Sequence, residues 1–285
     1  MAAIPSVQLP DGTAVSAIGQ GTWFMGERAD RAAAEVRALQ LGLDLGMHLI
    51  DTAEMYADGG AESVVGKAIA GRRDDVFLVS KVYPHRAGLA QAAEACEASL
   101  RRLGTDRLDL YLLHWPGRIP LAETVQAMER LQRDGKVLRW GVSNFDAPLL
   151  AELAGETGGP ACAVNQVLYH LASRGIEYDL LPLMRRLGMP AMAYCPLAQG
   201  GQLARGMLSH PAVRQVALRH RATPAQVALA WTLRAGGVVA IPKAVSPEHV
   251  RENAAAGAVL LDEADLAALD RAFPAPRGKV PLDIV

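Results

Sequence analysis

Val76-Phe77-Leu78-Val79-Ser80-Lys81 opens on successive apolar residues and closes on a serine and a lysine. Side chains alternate between the two faces of a strand, so this run is apolar on both. Gly237-Val238-Val239-Ala240-Ile241 has the same character. Strands of this kind belong to parallel sheets covered by helices, whereas a half-wet antiparallel strand alternates apolar with polar. Outward from these, further β-rich runs fall at 18–22, 48–51, 108–114, 138–143, 163–166 and 190–194. Helical patterns alternate with them at 31–45, 89–103, 121–133 and 224–234. Within 89–103, Ala92, Ala93, Cys96, Ser99, Leu100 and Leu103 recur at helical steps and mark one buried face. Gly46, Gly104 and Gly135 follow helical runs where a left-handed residue is wanted. Eight strand–helix units in 285 residues predict an α/β fold, a (β/α)8 TIM barrel.

Two segments lie outside that count. Asp11-Gly12, between extended runs in 6–16, is a hairpin turn signal, read as an N-terminal β-hairpin cap on the barrel bottom. Residues 262–272 read as a final helix before a Pro/Gly tail. No Gly/Ser linker or composition shift interrupts the chain, which predicts a single domain over 1–285. The doubly wound dinucleotide fold is the competitor, but Gly19-Gln20-Gly21-Thr22-Trp23-Phe24 puts phenylalanine where its fingerprint needs a third glycine.

Composition excludes several functions. Lys+Arg 29 against Asp+Glu 30 leaves a net charge of −1, with no basic footprint for nucleic acid or an anionic membrane. Hydrophobic content of 51% with 21% charged is that of a folded globular chain. Cys96, Cys162 and Cys195 are too scattered for a disulfide framework, and no Cys/His cluster suggests a metal. The N-terminal residues lack a secretory leader pattern. No uncharged apolar run approaches the roughly 18 residues a membrane span needs. The expectation is a cytoplasmic, monomeric enzyme acting on a small molecule.

Barrel enzymes place their chemistry at the C-terminal ends of the strands. Those ends read Asp51, Lys81, His114, Ser143-Asn144, Asn165-Gln166, Tyr194 and Lys243, with Tyr56 in the loop beyond Asp51. Singly, each has a plain reading. Asp51 and Lys81 make a rim ion pair, His114 is a hydrogen-bonded structural histidine, and Tyr56 is uninformative in its Gly/Ala-rich loop. As a set they suit one task. A tyrosine titrates near about 10, and a nearby ammonium lowers that value while a carboxylate holds the ammonium. A neutral His114 donates a hydrogen bond to the oxygen that Tyr56 protonates, which polarises a carbonyl. No group here is an evident nucleophile, so the attacking species is external, and a hydride cofactor is the obvious donor. Two other functions stay open on the residues alone. One is a metal-dependent barrel hydrolase or isomerase using His48, His85 and His114, which lacks tight His-x-His spacing. The other is a cofactor-binding regulatory subunit.

The stretches Leu49-Ile50-Asp51-Thr52-Ala53-Glu54-Met55-Tyr56, Val79-Ser80-Lys81-Val82, Leu112-Leu113-His114-Trp115-Pro116, Gly141-Val142-Ser143-Asn144-Phe145, Val164-Asn165-Gln166 and Ile241-Pro242-Lys243 resemble the aldo-keto reductases. The resemblance runs in order over nearly the whole chain. The 51–60 loop, 165–179 and the tail look most like the bacterial branch that reduces methylglyoxal and related 2-oxoaldehydes. It implies that Tyr56 is the general acid, Lys81 and Asp51 its electrostatic partners, and His114 the donor that orients the carbonyl. It further implies that Ser143, Asn144 and Gln166 bond a nicotinamide carboxamide and that Tyr194 stacks under its ring. Pro196-Leu197 would begin a loop along the pyrophosphate. Lys243 would meet the ribose phosphate of NADPH, with Glu252 and Asn253 near the adenine, and Trp23 and Trp115 would wall the substrate pocket.

The chain departs from the family pattern at Cys195, commonly serine, at Ala244, often serine, and at His249, where many NADPH-dependent members carry arginine. His48 also replaces a frequent arginine. Beside Lys243, Ser246-Pro247-Glu248 reads as an N-cap followed by proline at the first helical position. A helix start next to a lysine suits a phosphate dianion, which favours NADPH over NADH. The imidazole of His249 lacks an arginine's bidentate fork, which narrows that preference.

Overall fold

The predicted strand runs pair into one sheet of eight parallel strands, in a computed structural model that describes residues 4–198 and 206–285. Strands β1 (Ser6–Gln8) and β2 (Ala14–Ser16) precede it as an antiparallel hairpin. Gly12 takes φ +84° in their turn, a conformation that costs glycine little. The barrel strands follow: β3 (Gln20–Gly21), β4 (Leu49–Asp51), β5 (Phe77–Val82), β6 (Leu110–Leu113), β7 (Trp140–Ser143), β8 (Asn165–Leu168), β9 (Ala191–Tyr194) and β10 (Val238–Ala240). They neighbour one another in chain order. The Gly19 N–H donates to the Ala240 carbonyl at 2.8 Å and the Ala240 N–H to the Ala17 carbonyl at 2.8 Å, which closes the sheet into a barrel.

Both faces of these strands are buried, as their composition requires. Inward, Leu49, Val79, Leu110, Leu112, Met192 and Val239 pack together with Val7, Leu9 and Val15 of the hairpin. The hairpin is therefore a plug for the barrel bottom, held there also by Arg139, whose Nε donates to Asp11 Oδ2 at 2.6 Å. Outward, Ile50, Leu78, Val82, Tyr111 and Val142 join the helices in a second core. Each fully buried side chain of this size is worth about 1.5–3 kcal/mol.

The helices, among the described residues, are α1 (Ala32–Asp44), α2 (Gly60–Ile69), α3 (Ala92–Leu103), α4 (Leu121–Arg133), α5 (Ala147–Gly155), α6 (Leu180–Arg186), α7 (Pro211–His220), α8 (Pro224–Leu233), α9 (Pro247–Ala255) and α10 (Glu263–Ala272). In α3 the buried line is Ala92, Ala95, Cys96, Ser99, Leu100 and Leu103, while Ala93 sits half-buried at its edge. Gly46, Gly104 and Gly135 adopt φ +94°, +65° and +70°, the left-handed stops their positions call for. No described helix is long and apolar enough to cross a membrane.

The strands keep to their readings within two residues at each end, and β8 is the one displaced as a whole by that much. β8 starts at Asn165, two positions later than the sequence pattern suggests, because its register with β9 continues to Leu168 opposite Tyr194. Ala163 and Val164 fill the barrel interior beneath it. Gln166 thus lies within the strand, level with Ser143 at the end of β7, and reaches the site from inside the barrel.

Candidate active site

The upper ends of β4 and β5 bring Asp51 and Lys81 into contact. The Lys81 side chain is 0% accessible. Its Nζ donates to Asp51 Oδ2 at 2.7 Å, to the Thr52 carbonyl at 2.8 Å and to Tyr56 Oη at 3.2 Å. An ammonium has three hydrogens, and all of them are placed. The other Asp51 oxygen accepts from Gln166 Nε2 at 2.7 Å. Burying this pair costs hydration, and only such complete hydrogen bonding makes it tolerable.

Tyr56 opens the short helical turn Tyr56–Gly59 that leads into α2. Its ring meets that of His114 edge-on, with centroids 5.7 Å apart. His114 follows β6 and is 8% accessible. Burial, and next the Lys81 charge, push its pKa down to about 2, so the ring is neutral at physiological pH. Its Nδ1 is buried with no partner among the described residues. A proton there would be an unmet buried donor, so the proton belongs on Nε2. His114 is thus neutral, the state a donating role would need.

The expected effect of Lys81 on Tyr56 is not found. Burial, and then the Asp51 carboxylate, hold the phenol pKa well above its ordinary value. The Lys81 charge is already matched by Asp51. Burial also pushes Lys81 below the usual lysine value, against the opposing pull of Asp51 and Glu62. The raised phenol is protonated at rest, and the Asp51 carboxylate with the two other acceptors around Nζ favours an ammonium beside it.

These groups sit at a cavity of about 550 Å³. Trp23 and Trp115 line it as anticipated, joined by Met55 and Pro116. Trp23 stacks on Phe24 at 4.4 Å, and Phe24 holds a left-handed φ of +67°. Ser143, Asn144, Gln166 and Tyr194 supply polar lining. Ser143 Oγ donates to the Gln166 carbonyl at 2.9 Å, and Tyr194 Oη donates to Asn144 Oδ1 at 2.9 Å. Asn144, Cys195 and Ala198 have φ of +61°, +49° and +57°. Non-glycine residues pay about 1–2 kcal/mol for that conformation, and such strain gathers where surroundings enforce it at functional sites.

Beyond β10, Lys243 precedes α9, whose first residue is Pro247 and whose N-cap is Ser246. The Ser246 hydroxyl makes no capping bond, so the predicted helix start is present without its side-chain cap. His249 is exposed, Asn253 is buried, and the Glu252 carbonyl accepts from Gln226 Nε2 at 3.2 Å. None of these residues lines the cavity. Pro196 and Leu197 follow β9, but the rest of the loop they begin, 199–205, lies outside the described residues.

His48 and His85 do not join His114. His48 precedes β4 at the opposite end of the barrel, its Nδ1 3.1 Å from the Asp75 carbonyl, and His85 is exposed against Tyr83. A three-histidine metal centre therefore has no geometric basis. Met55, Pro116, Ile284 and Val285 line the cavity without having been anticipated. Met55 adjoins Tyr56 and Pro116 adjoins Trp115, which was signal enough; the two tail residues carry no local pattern.

Residues 17–273 match the family model described as the aldo/keto reductase family. The chain is 57% identical over 279 residues to methylglyoxal reductase YeaE of Escherichia coli, covering 98% of each chain. It is 34% identical over 249 residues to glyoxal reductase of Bacillus subtilis, covering 87% of this chain and 86% of that one. An aldo-keto reductase from Klebsiella pneumoniae, solved in complex with NADPH, superposes with a TM-score of 0.97 at 56% identity over 100% of both chains.

Proposed function

The chain belongs to the aldo/keto reductase family, and on that premise we propose that it reduces aldehydes and 2-oxoaldehydes of the methylglyoxal type to alcohols, with NADPH as hydride donor and Tyr56 as general acid. One observation carries the reading: Lys81 is bonded at once to Asp51, the Thr52 carbonyl and Tyr56 Oη beside a neutral His114, at an apolar-walled cavity. The residues present suit the cofactor. The polar lining of Ser143, Asn144 and Gln166 offers partners for a carboxamide, with the Tyr194 ring beside them. The uncommitted start of α9 next to Lys243 suits a phosphate. When bound, NADPH supplies the hydride.

The chain's own residues supply the remainder. Trp23 and Trp115 hold the apolar body of the substrate and exclude water. The Nε2–H of His114 donates to the carbonyl oxygen, which increases its polarisation. The Tyr56 hydroxyl gives its proton to that oxygen as charge gathers there. A Lys81 N–H, already directed at Tyr56 Oη, steadies the phenolate left behind, while Asp51 and Gln166 keep the ammonium in place. The reading takes residues 1–285 as one barrel domain working as a cytoplasmic monomer.

A substrate panel followed by NADPH absorbance tests this function. No lysine or arginine is among the cavity-lining residues described, so methylglyoxal, phenylglyoxal and activated aromatic aldehydes are expected to give higher kcat/KM than glucose. A preference for free sugars or anionic oxoacids overturns the substrate class.

Cofactor choice gives a second expectation. NADPH is preferred over NADH by a modest margin, because the imidazole of His249 lacks the bidentate fork an arginine would offer. His249→Arg tightens NADPH by about 1–2 kcal/mol, the worth of one charge-assisted hydrogen bond, and leaves NADH nearly unchanged. Dissociation constants of both cofactors for both proteins decide it. Equal affinities with no response to the substitution remove Lys243 and α9 from the phosphate site.

A further inference from the structure

The loop between Tyr56 and α2 is an unusual length of backbone. Ala57, Asp58 and Gly59 take φ of +51°, +49° and +85° in succession. Two non-glycine residues in that region hold only if neighbours leave no alternative. The neighbours are identifiable on both sides. A Cβ on Gly26 would collide with the Gly60–Ala61 backbone, so one side of the loop is closed by direct backbone contact. On the other side, a Cβ on Gly59 would collide with Cδ and Nε of Arg102, which reaches across from α3.

Arg102 is itself fixed. Its Nε donates to Glu62 Oε2 at 2.6 Å and its Nη2 to Ser99 Oγ at 3.2 Å. Glu62, in the first turn of α2, is 0% accessible. Its other oxygen accepts from Ser80 Oγ at 2.5 Å. Ser80 directly precedes Lys81 on β5, its side chain turned outward to α2 as that of Lys81 turns to the site. The carboxylate therefore joins three elements, the helix that begins after Tyr56, the strand that carries Lys81, and Arg102.

We propose that Arg102 and Glu62 are positioning residues for the proton donor: Arg102 clamps Gly59, Glu62 locks α2 to β5, and the two set the approach of Tyr56 Oη to Lys81 Nζ. This rests on the reading of Tyr56 as general acid. Neither residue lines the cavity, so neither has a direct part in holding substrate. The groups around Lys81 are Asp51 from β4, Tyr56 from its loop, Glu62 from α2 and the neutral His114 beyond β6. Of these Glu62 is the one carboxylate whose charge bears on Lys81 without touching it.

Arg102→Met is expected to lower kcat by about tenfold, with the KM for methylglyoxal and the Kd for NADPH within about twofold of the parent, because only proton delivery is misaligned. Arg102→Lys, which keeps a long stem and a charge, recovers most of the loss. Glu62→Gln moves the alkaline limb of kcat to lower pH, since a carboxylate that favours the Lys81 ammonium is gone. The decisive measurement is the cycle with Tyr56→Phe. Adding Arg102→Met to Tyr56→Phe produces no further loss of kcat if Arg102 acts through that hydroxyl. Equal and additive losses in both backgrounds, or an unchanged kcat in folded Arg102→Met, overturn the proposal. A Tyr56→Phe protein with parental turnover overturns the general-acid reading first and is recognised before the cycle is closed. Should Arg102→Met not fold, Glu62→Gln with Arg102→Met removes both charges and leaves neither unpaired; it gives the same tests.

Discussion

Tyr56→Phe lowers kcat by at least about 10²–10³-fold, the scale of a lost general acid, while NADPH affinity hardly moves. The substitution removes one oxygen and little else. The ring's edge contact with His114 persists, and Lys81 keeps Asp51 and the Thr52 carbonyl as acceptors. The stability cost is on the order of 1 kcal/mol for the hydrogen bond that Lys81 loses. Folding and cofactor binding therefore serve as internal controls. Single-turnover rates with methylglyoxal, beside the NADPH dissociation constant, make the measurement. Near-parental turnover in the phenylalanine variant would remove Tyr56 from the chemistry.

Lys81→Met has a larger compound effect. Turnover is expected to fall by at least about 10²-fold, because the phenolate left after proton transfer loses its only ammonium partner. The protein is also destabilised by about 3–5 kcal/mol, since Asp51 remains as a buried charge with Gln166 as its remaining side-chain donor. These two effects separate in a second variant. Lys81→Met with Asp51→Asn removes both charges and is expected to regain much of the stability without regaining turnover. Thermal unfolding and specific activity of the folded fraction are measured side by side. Recovery of activity along with stability would make the pair a structural tie at the barrel rim.

The barrel was legible because its strands are apolar on both faces and end in polar residues, as a helix-covered parallel sheet with chemistry at its rim requires. Asp51, Lys81 and His114 were singled out for the same reason, since packing alone gives no cause for such groups at strand ends, and Tyr56 only through its place in the loop just beyond Asp51. The slip in β8 reflects its own sequence. Ala163 and Val164 are as acceptable in a strand as Val167 and Leu168, and only the pairing with β9 decides. Ile284 and Val285 were out of reach because an irregular tail has no periodicity to indicate where it docks. The contact of Arg102 with Gly59 joins distant parts of the chain through a helix–helix approach, which no local spacing reports. The direction of the Tyr56 shift failed for a different reason. It depends first on how deeply the phenol is buried and then on the nearby Asp51 carboxylate, neither of which the spacing of residues reports.

Full commitment of the three Lys81 hydrogens has a chemical corollary for a protein that handles reactive aldehydes. Free amines condense with aldehydes to imines, and thiolates add to them as hemithioacetals. Either reaction needs a lone pair that the electrophile can reach. Lys81 is kept as an ammonium by Asp51 and is enclosed by its acceptors, so it presents none. Cys195, the residue after β9, is buried, and that burial pushes its thiol up to about 11, which leaves thiolate scarce at neutral pH. The same desolvation that shapes the proton donor thus makes these two side chains poor traps for an electrophile in the cavity.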